Sequence, residues 1–340
     1  MRFLCLFSSV LLIGCTDEPK GGRNSVAIKG QALGTTWMVK AFDSKPTDAN
    51  ELRDEIASKI EELERILSHW RPDSKLYQVN ASLSAEPVSI PPLLHELLTH
   101  AKWTHEQTRG AFDPTIAPLV NLWGFGPVSE NRTRIPTEEE INHALGLVGM
   151  NLLEILSDDR VRKKIPSLQI DLSGSAKGEI IDQVCALLDR RGIGNYLVEI
   201  GGEIRTRGPG KDERGWTIGL EDGSRESERS TLSLRDYSIA TSGTYRQSKP
   251  NPDSAKPASH LIDPRTGRPV EHDLLAVNVL APTARDADAL ATALMILGPE
   301  KGMALAEEMD LSARFCTREG NQTQRSYTTT WRRLYPAFKQ

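Results

Sequence analysis

Leu52, Ile56, Ile60, Leu63 and Leu67 recur at steps of four, four, three and four residues within "ELRDEIASKIEELERILS". An α-helix sets such positions on one face, so residues 51–68 predict an amphipathic helix that needs an apolar partner surface. Strand-like segments supply that partner. Residues 26–42 alternate apolar and polar side chains about a turn at Gly34. Residues 195–208 predict two strands hinged at Gly201-Gly202, and residues 215–220, 230–239 and 275–281 predict further strands. More helices are expected over 91–108, 138–146, 178–191, 284–297 and 299–309. Thr137 with Glu140 forms a capping-box pattern, and Gly192 and Gly298 are helix-closing glycines. "SIATSGTYRQ" and "HLIDPRTGRPV" read as polar loops beside strands, and "EDGSRESERS" as a solvated loop. No repeat or long linker divides the chain beyond residue 26. The expected architecture is therefore α+β: one integrated unit of mixed or antiparallel sheets with packed helices.

Composition narrows the function. The chain of 340 residues carries a formal net charge of −4, so its overall field does not attract nucleic acid. No apolar run is expected to reach membrane-spanning length. Cys185 lies in an apolar helical pattern and reads as a small buried hydrophobe; a Cys185–Cys316 disulfide stays open. No CxxC or Cys/His cluster suggests zinc. The beginning differs from the rest. "MRFLCLFSSVLLIGC" has one cation, Arg2, then an apolar run and Leu12-Ile13-Gly14-Cys15. This is a short secretory signal. Its ending resembles the bacterial lipoprotein cleavage box, which would make Cys15 the lipidated N-terminus and the following residues a tether. The alternative is an ordinary signal peptide with a chance cysteine.

The chemistry centres on "IDLSGSAKGEIID" (170–182). A P-loop needs GxxxxGK followed by Ser or Thr, and the spacing of Gly174 and Lys177 excludes it. A Ser-x-x-Lys nucleophile fails because Gly174 stands three residues before Lys177. What remains is a plain β–α turn, or one offering N–H groups to phosphate or carbonyl oxygens to a hard cation. Asp288 and Thr292 are four apart, on one helical face. They form a hard-oxygen pair suited to Mg²⁺, or else a packed threonine and a carboxylate favouring the helix dipole. Thr283 with Asp286 resembles an ordinary capping pair. His260 is either a general base, a phosphate partner or a structural histidine. "ATSGTYR" (240–246) either binds phosphate or caps strands.

Taken in order, these stretches resemble one family. "LGTTW" (33–37), "HWRPDSKLYQVN" (69–80), "GAFDPTIAPLVNLWGFG" (110–126), "IDLSGSAKGEIID", "LVEIGGEIRTRG" (197–208), "IATSGTYR" (239–246), "HLIDPRTGRPV" (260–270) and "ADALATALMILG" (287–298) are similar to motifs of the ApbE family of FAD:protein FMN transferases. The resemblance runs from about residue 28 to 310. It implies a Mg²⁺-dependent enzyme that cleaves FAD and joins FMN through a phosphodiester bond to a threonine or serine of an acceptor flavoprotein, releasing AMP. Acceptors of this family include subunits of membrane redox complexes. The resemblance implies a metal site of Asp288, Thr292 and the main-chain oxygen of Gly174. It implies FAD contacts from Leu33, Trp70, Ala111, Phe112, Asp113, Asp171, Lys177 and Ile262, with His260 handling the acceptor hydroxyl proton. Two positions depart from the family pattern: Leu33 stands where methionine is usual, and Ala291 where some members have aspartate. The expected organisation is a signal peptide at 1–14, a lipidated terminus and tether at 15–27, and a transferase unit at 28–340, lipid-anchored on the extracytoplasmic side of a bacterial envelope membrane. An FAD pyrophosphatase releasing FMN and AMP, or a non-catalytic lipid-anchored FAD-binding protein, are the alternatives.

Overall fold

The alternation at residues 26–42 closes a hairpin. Strand β1 (Asn24–Ala32) pairs antiparallel with β2 (Thr35–Asp43) across Leu33-Gly34. The computed structural model describes residues 24–43, 47–128, 135–223, 230–246, 248–250 and 257–337; the expected signal peptide and Cys15 lie outside them. Residues 24–27, expected in the tether, belong to β1. The hairpin begins an eight-stranded sheet continued by β3 (Tyr196–Ile200), β4 (Glu203–Arg207), β5 (Ser238–Gly243), β6 (Leu274–Ala281), β7 (Ser312–Glu319) and β8 (Gln322–Tyr327). Spatial order follows chain order, and every neighbouring pair is antiparallel.

The helices are α1 (Ala49–Leu67), α2 (Lys75–Ala81), α3 (Pro92–Gln107), α4 (Ala117–Leu122), α5 (Glu138–Leu145), α6 (Ala176–Arg190), α7 (Ala284–Glu308) and α8 (Thr329–Leu334). The α1 stripe is buried as its spacing requires. It packs with Leu94 and Leu97 of α3, Ile180 and Val184 of α6, and Val39 and Val198 of the sheet. Full burial of each such side chain stabilises by about 2 kcal/mol relative to exposure. Leu290 and Leu294 of α7 pack on Val277, Val279 and Phe315. The opposite sheet face is covered by the strand pair Trp216–Gly219 and Thr231–Leu234 and by Trp331 of α8. All eight residues of β6 are consequently buried.

Some expectations change. "SIATSG" is a central strand and not a loop, and its Thr241 finds a partner inside the sheet: Oγ1 accepts from Asn278 Nδ2 at 2.8 Å. A three-stranded sheet of Val88–Ser89, Arg160–Lys163 and Leu153–Leu156, and helices α2 and α8, went unread. Helix α7 is long and apolar enough to cross a membrane by length and composition, contrary to the expectation of no such run. It is instead a mostly buried core helix, broken at Gly298 by a left-handed φ of 79°. Cys185 and Cys316 are both buried and free, and burial raises both thiol pKa values, Cys316 to about 11.

The contact between α6 and α7 decides where the site forms. Gly178 lies so close to the start of α7 that a Cβ there would stand 2.3 Å from the Ala284 carbonyl oxygen. Asp182, one turn later on α6, accepts the N–H groups of Ala284 and Arg285, each at 3.0 Å. Thr283 accepts from Asp286 N–H at 3.1 Å, as the capping pair predicts. Orphan donors at the α7 N-terminus are thus satisfied partly by a neighbouring helix. Gly178→Ala is expected to cost about 3 kcal/mol of stability by forcing the two helices apart. Urea unfolding checks this, and an unchanged midpoint would show that they have room to separate.

Candidate functional site

The α6–α7 joint carries Asp288 against the turn at 171–178. Asp288 is buried; its Oδ2 accepts Gly178 N–H at 3.1 Å, and its Oδ1 lies 3.7 Å from Lys177 Nζ. Thr292, one turn along α7, rests on Gly174. A Cβ at Gly174 would come within 3.3 Å of Thr292 Oγ1 and 3.1 Å of the Phe112 ring, so a larger residue there would push one of them back by a few tenths of an ångström. The structure therefore brings together Phe112, Gly174, Lys177, Asp288 and Thr292 from three separated stretches. One carboxylate, one hydroxyl and an adjoining glycine turn form an oxygen set that suits a hard cation. Among the described residues no group of three or more His, Cys, Asp or Glu could hold a metal ion. An ion here would therefore draw on hydroxyl and main-chain oxygens as well.

Glu203, which the sequence does not single out, and Arg246, the cation of the 240–246 stretch, complete the charge pattern. Glu203 opens β4 just after Gly201-Gly202 and is buried; its Oε1 lies 3.8 Å from Lys177 Nζ and 3.7 Å from Arg246 Nη1. Burial pushes its carboxyl up to about 7, although both cations pull it down. Burial works against the Lys177 ammonium too, but Asp288 and Glu203 outweigh it and raise its pKa above the usual lysine value. Arg246 Nη1 donates to the Gly201 carbonyl at 2.7 Å and Nη2 to Glu221 at 3.4 Å.

Asp113 and Asp171 are buried and meet through the main chain, where Asp171 N–H donates to the Pro114 carbonyl at 2.7 Å. Each carboxylate fixes its own turn: Asp171 accepts Ser173 N–H at 2.7 Å and Asp113 accepts Thr115 N–H at 2.8 Å. His69 Nδ1 lies 3.6 Å from Asp171 Oδ1, and its neighbour Trp70 presents an exposed ring. A groove beside them is lined by His69, Tyr77, Asn80, Asn121, Gln169 and Asp171. The Ala111 and Ile262 side chains are buried, so each offers a ligand only its main chain. Ile262 belongs to a small hairpin with Arg268–Pro269 and packs in the cluster of Leu119 and Trp123. His260 stands edge-on to Phe125, with ring centroids 6.4 Å apart, and Lys249 lies over the same Phe125 ring. Ala291 is buried in the apolar cluster with Leu290 and Leu294.

Leu33 occupies an uncommon conformation. Its φ is 54° and that of Gly34 is 68°, the left-handed pair that a two-residue hairpin turn requires. A non-glycine residue there is disfavoured and persists only with support. Support comes from Glu64 of α1, whose Oε1 accepts Leu33 N–H at 3.0 Å. Arg71 extends it: Nη1 lies 3.8 Å from Glu64 Oε2 and donates to Glu61 at 2.7 Å, tying the segment after Trp70 to the same helix. Glu64 escaped the sequence reading because it looks like any charge on the polar side of α1.

With this geometry in hand, the comparisons are decisive. The ApbE family model matches residues 33–315. The chain belongs to the ApbE family. It is 39% identical over 307 residues to the FAD:protein FMN transferase of Vibrio cholerae, covering 89% of this chain and 90% of that protein. It is 31% identical over 347 residues to the protein of the same name from Escherichia coli K12, covering 99% and 96%. Among solved structures, the flavin transferase ApbE of Vibrio cholerae superposes with a TM-score of 0.84 at 36% identity, covering 92% of this chain and 99% of that one. The apo flavinyl transferase ApbE of Pseudomonas stutzeri gives 0.85 at 34% identity, covering 92% and 97%. These ApbE structures share the α+β architecture of helices packed on a large antiparallel sheet.

Glu64→Ala should free the Leu33 N–H and cost about 1 kcal/mol of stability, with faster amide hydrogen exchange at residues 33–35. Exchange at the wild-type rate would show that the turn holds itself.

Proposed function

We propose that this chain is an FAD:protein FMN transferase acting at the Lys177–Asp288 cluster. The observation that carries the reading is the meeting of Gly174, Lys177, Asp288 and Thr292 in one partly buried oxygen-rich site, in a chain of the ApbE family whose relatives bear that activity in their names. The donor set fits Mg²⁺, with Asp288, Thr292 and the Gly174 carbonyl as its ligands. When bound, Mg²⁺ supplies charge neutralisation at the pyrophosphate oxygens.

The protein's own groups account for the rest of the chemistry. The oxygen of an acceptor threonine or serine attacks the FMN phosphorus, the bond to the bridging oxygen breaks, and AMP leaves. Lys177 adds positive charge where negative charge gathers on the phosphoryl oxygens. His260 takes the proton of the acceptor hydroxyl. FAD is held by Trp70, whose exposed ring offers a stacking plane, by Leu33, Phe112, Asp113 and Asp171, and by the main chain at Ala111 and Ile262. The N-terminal pattern ending at Cys15 supports a lipid anchor. That anchor would place the enzyme on the outer side of a bacterial membrane, near acceptor subunits of membrane redox complexes.

Incubation with FAD, Mg²⁺ and an acceptor protein is expected to give the acceptor the mass of one FMN and to release AMP. Consumption of FAD without labelling would instead identify a pyrophosphatase. Asp288→Ala should keep the fold and lower turnover by at least about a hundredfold; full activity in that variant would remove Asp288 from the site. His260→Ala should lower the transfer rate by about a hundredfold or more with FAD binding intact, measured by flavin fluorescence. Wild-type transfer would remove His260 from proton handling.

A further inference from the structure

Glu203 is placed where a carboxylate is hard to keep. It is 2% exposed, and its Oε2 is enclosed without a hydrogen-bond partner among the described residues. Leaving a buried charged oxygen unsatisfied is unfavourable, so some compensating gain retains it. Ordinary salt bridging is not that gain. The separations of 3.8 Å to Lys177 and 3.7 Å to Arg246 are too long for hydrogen bonds. Glu203 attracts both cations without taking up their N–H groups.

The donors of Lys177 are in fact scarcely used. Its ammonium lies 3.7 Å from Asp288 and makes one weak contact, 3.4 Å to the Ser173 carbonyl. Arg246 spends Nη1 on Gly201 and reaches Glu221 with Nη2 only weakly, at 3.4 Å, while its Nε is buried without a partner among the described residues. Two cations drawn to one carboxylate, with N–H groups to spare, form a ready receptor for an anion with several oxygens. Without Glu203 they would separate, Lys177 relaxing onto Asp288 and Arg246 onto Glu221, each of which already lies near.

We propose that Glu203 is a positioning residue for the transfer: it holds Lys177 and Arg246 as a pair that receives the phosphoryl oxygens of FAD. The proposal rests on the reading of Lys177 as a phosphate contact. It adds Arg246 as a second contact and Glu203 as the group that makes the two act together.

A double-mutant cycle on the full chain tests it. Glu203→Gln keeps the shape and removes the charge. It is expected to lower kcat/KM for FAD about a hundredfold, to weaken FAD binding measured by flavin fluorescence in EDTA, and to leave the melting temperature within a few degrees of wild type. In a Lys177→Met background the same change should cost less than about threefold, because Glu203 acts through Lys177. Glu203→Asp, which retains the charge, should recover part of the loss; Glu203→Met, which also lacks the charge, replaces the Gln variant in the cycle if that one does not fold. Wild-type kinetics in Glu203→Gln, or losses that multiply fully in the double variant, would overturn the positioning role while leaving the Lys177 reading intact. Wild-type kinetics in Lys177→Met alone would overturn the phosphate reading and this proposal with it.

Discussion

Everything in the site depends on the close approach of two helix backbones at Gly178. With no side chain between them, the first turn of α6 touches Ala284, and the start of α7 takes its cap from Asp182 as well as from Thr283. That contact fixes the height of α7 along α6. Asp288 then falls within reach of Gly178 N–H, and Thr292 falls on Gly174. A larger residue at 178 would move a carboxylate and a hydroxyl together, away from the turn they face. The meandering sheet serves this joint from below: β6 runs directly into α7, and β3 and β4 run beneath α6.

The electrostatics follow from that geometry. Asp288, Glu203, Lys177 and Arg246 are gathered where water is scarce, and each desolvation cost is met by an opposite charge nearby. The balance is incomplete on the Glu203 side, where burial outweighs two cations and lifts the carboxyl to about 7. A site of this kind is poised for an incoming anion, in keeping with the proposed phosphoryl transfer. The strained Leu33 turn shows a similar arrangement: an unfavourable backbone is retained because Glu64, itself paired with Arg71, holds it.

How much of this was legible varied with how local the cause is. The α1 helix was readable because its apolar positions repeat within one element, and the Thr137–Glu140 capping box because its partners are three residues apart. Strand β5 was legible only at its start, within the expected strand of 230–239, since Thr241 and Ser242 look like loop residues until Asn278 of the next strand meets Thr241. Among the site residues, Asp288 and Thr292 were recognisable as a pair on one helical face, and Gly174 and Lys177 as parts of one turn. Arg246 was marked only as the cation of a stretch that either binds phosphate or caps strands, and Glu203 and Glu64 carry no local mark, because the partners of all three stand tens of residues away in the chain.

The sequence by itself therefore determined those elements whose apolar residues repeat along the chain, the apolar faces they must bury, and the family to which the ordered motifs belong. Those follow from residue spacing and backbone preference, which act over a few positions. The family resemblance already joined the 170–182 turn to the 284–298 helix; tertiary structure alone decided the contact at Gly178 through which they meet, and that Lys177 stands between two carboxylates. Both outcomes need a contact between segments about a hundred residues apart, set by a glycine whose only local sign is the absence of a side chain.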